Sequence, residues 1–170
     1  GRGAGRGGPG VIAGRLITWA AAQHGALPAV VFRDRTYSHT DIEARSNQLA
    51  HALLALGLRP GDRVAALLDN SVESLDSQFG AEKAALTYVA LNARHTLAEH
   101  LAILQDAEVS AVMVGPPFAA LAAGFAAQAG GQLPHLRHVL GLGVPGPSAA
   151  DFAARSPAAP PPPPAIEADE

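Results

Sequence analysis

Residues 56–71 read Leu56-Gly57-Leu58-Arg59-Pro60-Gly61-Asp62-Arg63-Val64-Ala65-Ala66-Leu67-Leu68-Asp69-Asn70-Ser71, and each part has its own physical meaning. Gly57 supplies the left-handed residue that closes a helix. Residues 58–62 form a Pro-Gly turn. The run 63–68 is a buried strand, and Asp69-Asn70-Ser71 ends it with a side chain able to cap the next helix. Helix, buried strand and helix in immediate succession form the repeating unit of an α/β layered domain with largely parallel pairing.

Toward the N-terminus, Thr40-x-x-Glu43 reads as a capping box and predicts a helix from Asp41. Ile42, Leu49, Leu53 and Leu56 form one stripe of a 3.6-residue period along it. Before it, strands over 29–32 and 36–39 flank a two-residue turn, Arg33-Asp34, which predicts a hairpin although Arg-Asp is not the preferred turn chemistry. Further upstream, Arg15 and the apolar residues 16–22 have the outline of a short export signal. The stretch is barely long enough and runs into Gln23-His24. The preferred reading is an amphipathic helix with Ile12, Leu16 and Trp19 on one face, and with it a cytoplasmic location.

Toward the C-terminus, a helix from Ser71 to about Ala84 is expected to turn Val72, Leu75 and Phe79 inward. A strand over 86–91 follows. Thr96-x-x-Glu99 is a second capping box, opening a helix that buries Leu97, Leu101 and Leu104. A strand over 109–114, an Ala-rich helix over 117–128 and a last strand over 136–140 complete the series. No internal repeat is visible. Residues 1–10 read as a flexible Gly/Arg-rich tail, 11–143 as the α/β region and 144–170 as a Pro/Ala-rich linker, in which 160–164 adopt polyproline II.

Composition removes whole classes of function. The 170 residues carry 12 Lys+Arg against 15 Asp+Glu, a formal charge of −3, so nothing favours a phosphate backbone as partner. No apolar run approaches a membrane span. The absence of Cys excludes disulfides, thiolate metal sites and cysteine nucleophiles. Gly1 stands first in place of Met, so a fragment of a longer chain is one reading.

Candidate chemistry is sparse. Gly3, Gly5 and Gly8 have the Gly-x-Gly-x-x-Gly spacing but no strand before them. Gly141, Gly143 and Gly146 do follow a strand, with Pro145 and Pro147 interrupting the turn. That run leaves a nucleotide-binding reading beside the plain one, a Gly/Pro exit from the sheet. His135 and His138 point to opposite faces of a strand, and His95 with His100 fares little better, so packed or solvated histidines are favoured over a metal site. The pairs Asp41/Glu43 and Asp106/Glu108 sit at helix ends, where capping explains them. No Gly-x-Ser-x-Gly elbow occurs. Arg2 and Arg6 lack the interleaved aromatics of an RNA-binding tail, and the run 160–164 reads as a spacer sooner than as a docking peptide.

Several runs in order resemble the N-terminal part of the adenylate-forming superfamily, specifically its acyl-CoA synthetases. They are Glu43-Ala44-Arg45-Ser46-Asn47-Gln48-Leu49-Ala50, the turn and strand of 56–65, Asp69-Asn70-Ser71, Phe79-Gly80, Lys83-Ala84, Tyr88-Val89 and Leu91-Asn92-x-Arg94. The resemblance covers residues 12–143. Three positions depart from the family's pattern: His39 in place of Tyr, Ala85 in place of a helix-ending Gly, and Ala90 in place of Pro. The resemblance implies activation of a fatty or other carboxylic acid, with ATP, Mg and CoA as the parent enzyme's cofactors. It implies catalytic, cofactor-binding and metal sites formed by none of this chain's residues. Lys83, the sole lysine, falls in a segment that the family uses for packing. Residues 165–170 look like the acidic lead-in to the family's phosphate loop. The expected partner is therefore the remainder of the enzyme, and the fragment alone is expected to be inactive. A free-standing α/β binding or interaction module is the alternative.

Overall fold

The computed structural model describes residues 9–143. In chain order it contains α1 (Pro9–His24), β1 (Pro28–Phe32), β2 (Arg35–Ser38), α2 (His39–Ala55), β3 (Arg63–Leu67), α3 (Val72–Lys83), β4 (Thr87–Ala90), α4 (Leu97–Asp106), β5 (Ala111–Val114), α5 (Ala119–Ala127) and β6 (His138–Gly141), with a short 3-10 helix at Pro116–Phe118. Residues 1–8 and 144–170, and with them the Gly3 to Gly8 spacing, Gly146 and the proline run, lie outside the described residues. The last two residues of the expected tail, Pro9 and Gly10, begin α1.

Strands β3 to β6 form one parallel sheet in the order β4-β3-β5-β6, and β1 and β2 form a separate antiparallel hairpin. Alternation along the two central strands divides the core. Val64, Ala66, Ala111 and Met113 face Leu49, Ala52 and Leu53 of α2 and Ala81 of α3. Ala65, Leu67, Val112 and Val114 face Leu101 and Leu104 of α4 and Phe125 of α5. Successive strand residues point to opposite faces, so a run that is apolar at every position is covered on both sides. The result is three layers, as the α/β reading expects.

The turn of residues 56–62 is held by its own side chains. Gly57 and Gly61 take φ of 81° and 89°. The Asp62 carboxylate accepts from the Arg59 amide at 2.9 Å and pairs with Arg137. Ala85 sits at φ 56°, so the left-handed helix exit persists although the residue there is not glycine.

Three local expectations give way to tertiary contacts. The box that caps α2 is Ser38 with Asp41, not Thr40 with Glu43: the Ser38 hydroxyl accepts from the Asp41 amide at 3.1 Å, and the Asp41 carboxylate accepts from the Ser38 amide at 2.8 Å. Glu43 is drawn inward by Lys83 and cannot reach back. On α1, Leu16 and Trp19 point outward, 57% and 58% exposed. Gly14 and Ile17 take the inner positions, because a larger residue at 14 would place its Cβ 3.1 Å from Lys83. On α3, Leu75 and Phe79 are only half-buried, and the inner face is Val72, Asp76, Ser77, Gly80 and Ala81. A Cβ at Gly80 would lie 3.0 Å from Leu49 Cβ, so small residues are what let α2 and α3 approach. The Thr96–Glu99 box opens α4 as expected, with Leu97 half-buried and Leu101 and Leu104 buried.

Candidate functional site

In a parallel sheet the connections decide where a crevice opens. The chain leaves β3 for α3 on one face and leaves β5 for α5 on the other, so the helices part above the carboxyl ends of these neighbouring strands. Ligands of open α/β sheets bind at such switch points. A cleft of about 380 Å³ lies there. Leu68, Asp69 and Ser71 reach it from the end of β3, Pro116 and Pro117 from the end of β5, and Leu142 and Gly143 from the end of β6. Arg33 of the hairpin and Glu73 of α3 complete its polar lining.

Three local features mark this edge. Gly115 ends β5 without a side chain, and a Cβ there would lie 3.0 Å from Leu68 Cδ2 and 3.7 Å from Asp69 Oδ1. Arg33 holds φ at 52°, a left-handed conformation costing a residue with a Cβ roughly 1 to 2 kcal/mol. Ser71 is the N-cap of α3, yet its hydroxyl makes no capping bond, so the hydroxyl at the head of this helix is not spent on its own first turn. The cleft thus offers a hydroxyl, one guanidinium and two carboxylates beside proline and leucine walls.

The other polar groups are tied into the fold. Lys83 Nζ donates to Glu43 at 2.5 Å and to Asn47 at 2.7 Å, with side chains 6% and 14% exposed for the Lys83–Glu43 pair. The Thr18 hydroxyl and the Asn47 amide donate to the same carboxylate. Burial pushes the Lys83 ammonium below the usual lysine range, against the pull of Glu43. Arg45 binds Asp76 through two nitrogens while lying over the Tyr37 ring. Burial pushes the Asp76 carboxyl up, and the Arg45 guanidinium opposes that shift.

Among the histidines, His138 Nε2 donates to the Leu56 carbonyl at 3.0 Å, and His135 lies exposed in the segment before β6. His95 and His100 have ring centroids 5.7 Å apart. His100 is fully buried, and neither of its ring nitrogens has a hydrogen-bond partner. Burial pushes its pKa down, and His95 adds to the shift. No cluster of three or more His, Cys, Asp or Glu able to hold a metal exists among the described residues. Of the Gly-x-Gly-x-x-Gly candidate, Gly143 lines the cleft and Gly141 ends β6. The sequence reading missed the cleft itself, because three distant strand ends build it.

Residues 17–170 match the family described as AMP-binding enzyme. The chain belongs to that family. The fatty acid–[acyl-carrier-protein] ligase ScoC of Streptomyces coeruleorubidus is 43% identical over 86 residues, which cover 50% of this chain and 17% of that protein. The crotonobetaine/carnitine–CoA ligase of Salmonella typhimurium is 33% identical over 103 residues, covering 58% of this chain and 20% of the ligase. Among solved structures, the inhibitor-bound N-terminal domain of FACL13 from Mycobacterium tuberculosis superimposes with a TM-score of 0.79 at 30% identity, covering 91% of this chain and 37% of that one. The matched region thus spans a fifth or less of the length of these two curated ligases, and it corresponds to the N-terminal part of acyl-CoA synthetases. Among the described residues, no helix is long and apolar enough to cross a membrane.

Proposed function

We propose that these residues are the scaffold part of a ligase that activates a carboxylic acid with ATP and transfers the acyl group to the thiol of CoA or of a carrier protein. The reading rests on one conjunction. The family match over residues 17–170 coincides with a cleft at the switch point of a sheet whose fold is shared with named ligases. Acid, ATP and thiol would give thioester, AMP and pyrophosphate.

The cleft's own residues do not fit a triphosphate. A polyanion needs cations and N–H donors facing it, but Arg33 is the one cation lining the cleft, beside Asp69 and a Glu73 that pairs with Arg45 at 3.5 Å, and the sole lysine is committed to Glu43 and Asn47. No step of the reaction is therefore assigned to this chain's side chains. Its part is to hold one wall of the acid-binding region, with phosphate contacts, the catalytic lysine and the metal-positioning carboxylate contributed by polypeptide outside these 170 residues. In the same reading, residues 1–8 and 144–170 flank a structural unit that starts with α1 at Pro9.

ATP–pyrophosphate exchange tests this. The 170-residue chain should exchange at the blank level with fatty and aryl acids. A polypeptide extended past Glu170 through a Ser/Thr/Gly-rich loop and the following domains should exchange in an acid-dependent way. Turnover by the 170-residue chain, or none by the extended protein with any acid of the panel, overturns the proposal.

A further inference from the structure

Helix α5 is held in place by apolar contact. Its nine residues include no polar side chain, and its N-cap, Phe118, makes no side-chain bond to the first turn. A helix this short does not hold itself together in water, so its place depends on what it sits against. A Cβ at Gly124 would lie 2.8 Å from Leu97 Cδ2, so α4 and α5 close up at that glycine. Beside it, the fully buried Phe125 ring meets the His100 ring edge-on at 6.0 Å. Chain order ties this seat to the cleft. The 3-10 helix Pro116–Phe118 leads straight into α5, and Pro116 and Pro117 line the cleft.

His100 brings an ionisable ring into the seat. It is completely buried, neither of its nitrogens has a hydrogen-bond partner, and the Nδ1 of His95, whose ring lies 5.7 Å away, is buried without one as well. The groups facing the ring offer little to an added charge. The Glu99 carboxylate is engaged by the amide and hydroxyl of Thr96, and a charged His95 would repel it. The sheet face under α4 and α5 is apolar, built from Ala65, Leu67, Val112 and Val114. In the segment after α5, Arg137 pairs with Asp62 and His135 is exposed. A buried imidazole so placed takes up a proton only when its surroundings open, so protons select the open arrangement.

We propose that His100 is a proton-sensitive latch: acid unseats α5 from α4 and releases with it the Pro116–Pro117 wall of the cleft, before the layer of α1, α2 and α3 gives way. That layer is joined by the Lys83–Glu43 and Arg45–Asp76 pairs, whereas α5 has apolar contact to hold it. The open state binds the proton more readily than the closed one, so opening grows as pH falls through 6.5, the ordinary histidine value, by up to about tenfold per pH unit. The latch acts on this wall whichever ligand the cleft takes.

Native-state hydrogen exchange of the full chain at pH 7.5 and pH 5.5, corrected for the intrinsic pH dependence of amide exchange, reads the opening directly. From the higher pH to the lower, the opening constant of the α5 amides should rise about tenfold. The step should depend less on urea than exchange in α2 does, because it exposes less surface. In His100→Leu the rise should vanish. The comparison of α5 with α2 needs no variant, so it decides even where the substitution disturbs the fold. Three results overturn the proposal: the same rise in both proteins, one rate and one urea dependence shared by α5 and α2 at pH 5.5, which would mark unfolding of the whole molecule, or α5 protection at pH 7.5 that a chelator removes, which would make the two histidines metal ligands.

Discussion

His100→Leu should make the protein more stable, and more so in acid. His100 is fully buried between the apolar side of α4 and Phe125 of α5, whose ring it meets edge-on at 6.0 Å, and both its nitrogens lack partners. An unsatisfied buried polar group costs roughly 1 to 3 kcal/mol, and an aromatic edge contact returns about 0.5 to 1.5. Leucine of similar volume removes both, so near pH 8 the variant should gain about 1 kcal/mol. Below the ordinary histidine value of 6.5 the difference widens. The unfolded chain takes up a proton that the buried ring resists, so the native state loses stability as pH falls, at up to about 1.4 kcal/mol per pH unit. The groups facing the ring are His95, whose charge adds to the resistance, and Glu99, which opposes it and is itself engaged with Thr96. Urea unfolding of both proteins between pH 8 and pH 5.5 measures the effect. Parallel pH profiles, or a variant less stable throughout, would refute the reasoning.

Lys83→Met should destabilise by about 3 to 5 kcal/mol, because Glu43 loses its cationic partner in a largely buried site, and Lys83→Met with Glu43→Leu should recover most of the loss in a double-mutant cycle by thermal unfolding. Gly80→Val should cost about 1 to 3 kcal/mol in urea midpoints, since the new Cβ meets Leu49 at its own Cβ and not at a flexible tip. Ala85→Gly should raise stability by about 0.5 to 1 kcal/mol, relief of the left-handed strain exceeding the entropy of the freer unfolded chain. A loss on that substitution would mean that the Ala85 methyl packs usefully.

Elements whose determinants are local were legible from the residues alone. The strand 63–68, the Pro-Gly turn, the Gly57 helix stop and the Thr96–Glu99 box each depend on a few neighbours in sequence, and each appears within a residue or two of its expected place. Where two local solutions were available, distant residues chose between them. Ser38–Asp41 and Thr40–Glu43 both have the spacing of a capping box, and Lys83, on another helix, takes Glu43 out of contention. The same contact turns α1 so that Gly14, not Trp19, lies inward. The buried His100 and the cleft left no local trace, because each depends on which elements the sheet order brings together.

Ion pairs and backbone strain fall in different places. In the layer of α1, α2 and α3, Lys83 pairs with Glu43, and Arg45 with Asp76 and Glu73, although one Glu82 carboxylate oxygen is buried without a partner. The carboxyl edge of the sheet carries the strained and uncapped positions. Arg33 holds a strained backbone, Ser71 heads a helix without capping it, and Gly115 leaves out the side chain that would press against Leu68. Strain and unmade bonds persist only where the surrounding packing over-determines them, and here the helix layer, locked by its ion pairs, supplies that packing. Loosening the Lys83–Glu43 contact should therefore be felt across the sheet at the cleft, through α3, whose last residue is Lys83 and whose N-cap is Ser71. Hydrogen exchange of the first-turn amides of α3 in Lys83→Met would register it. Unchanged protection at Val72 to Ser74, with exchange raised only around Lys83, would show that the two ends of the helix are independent.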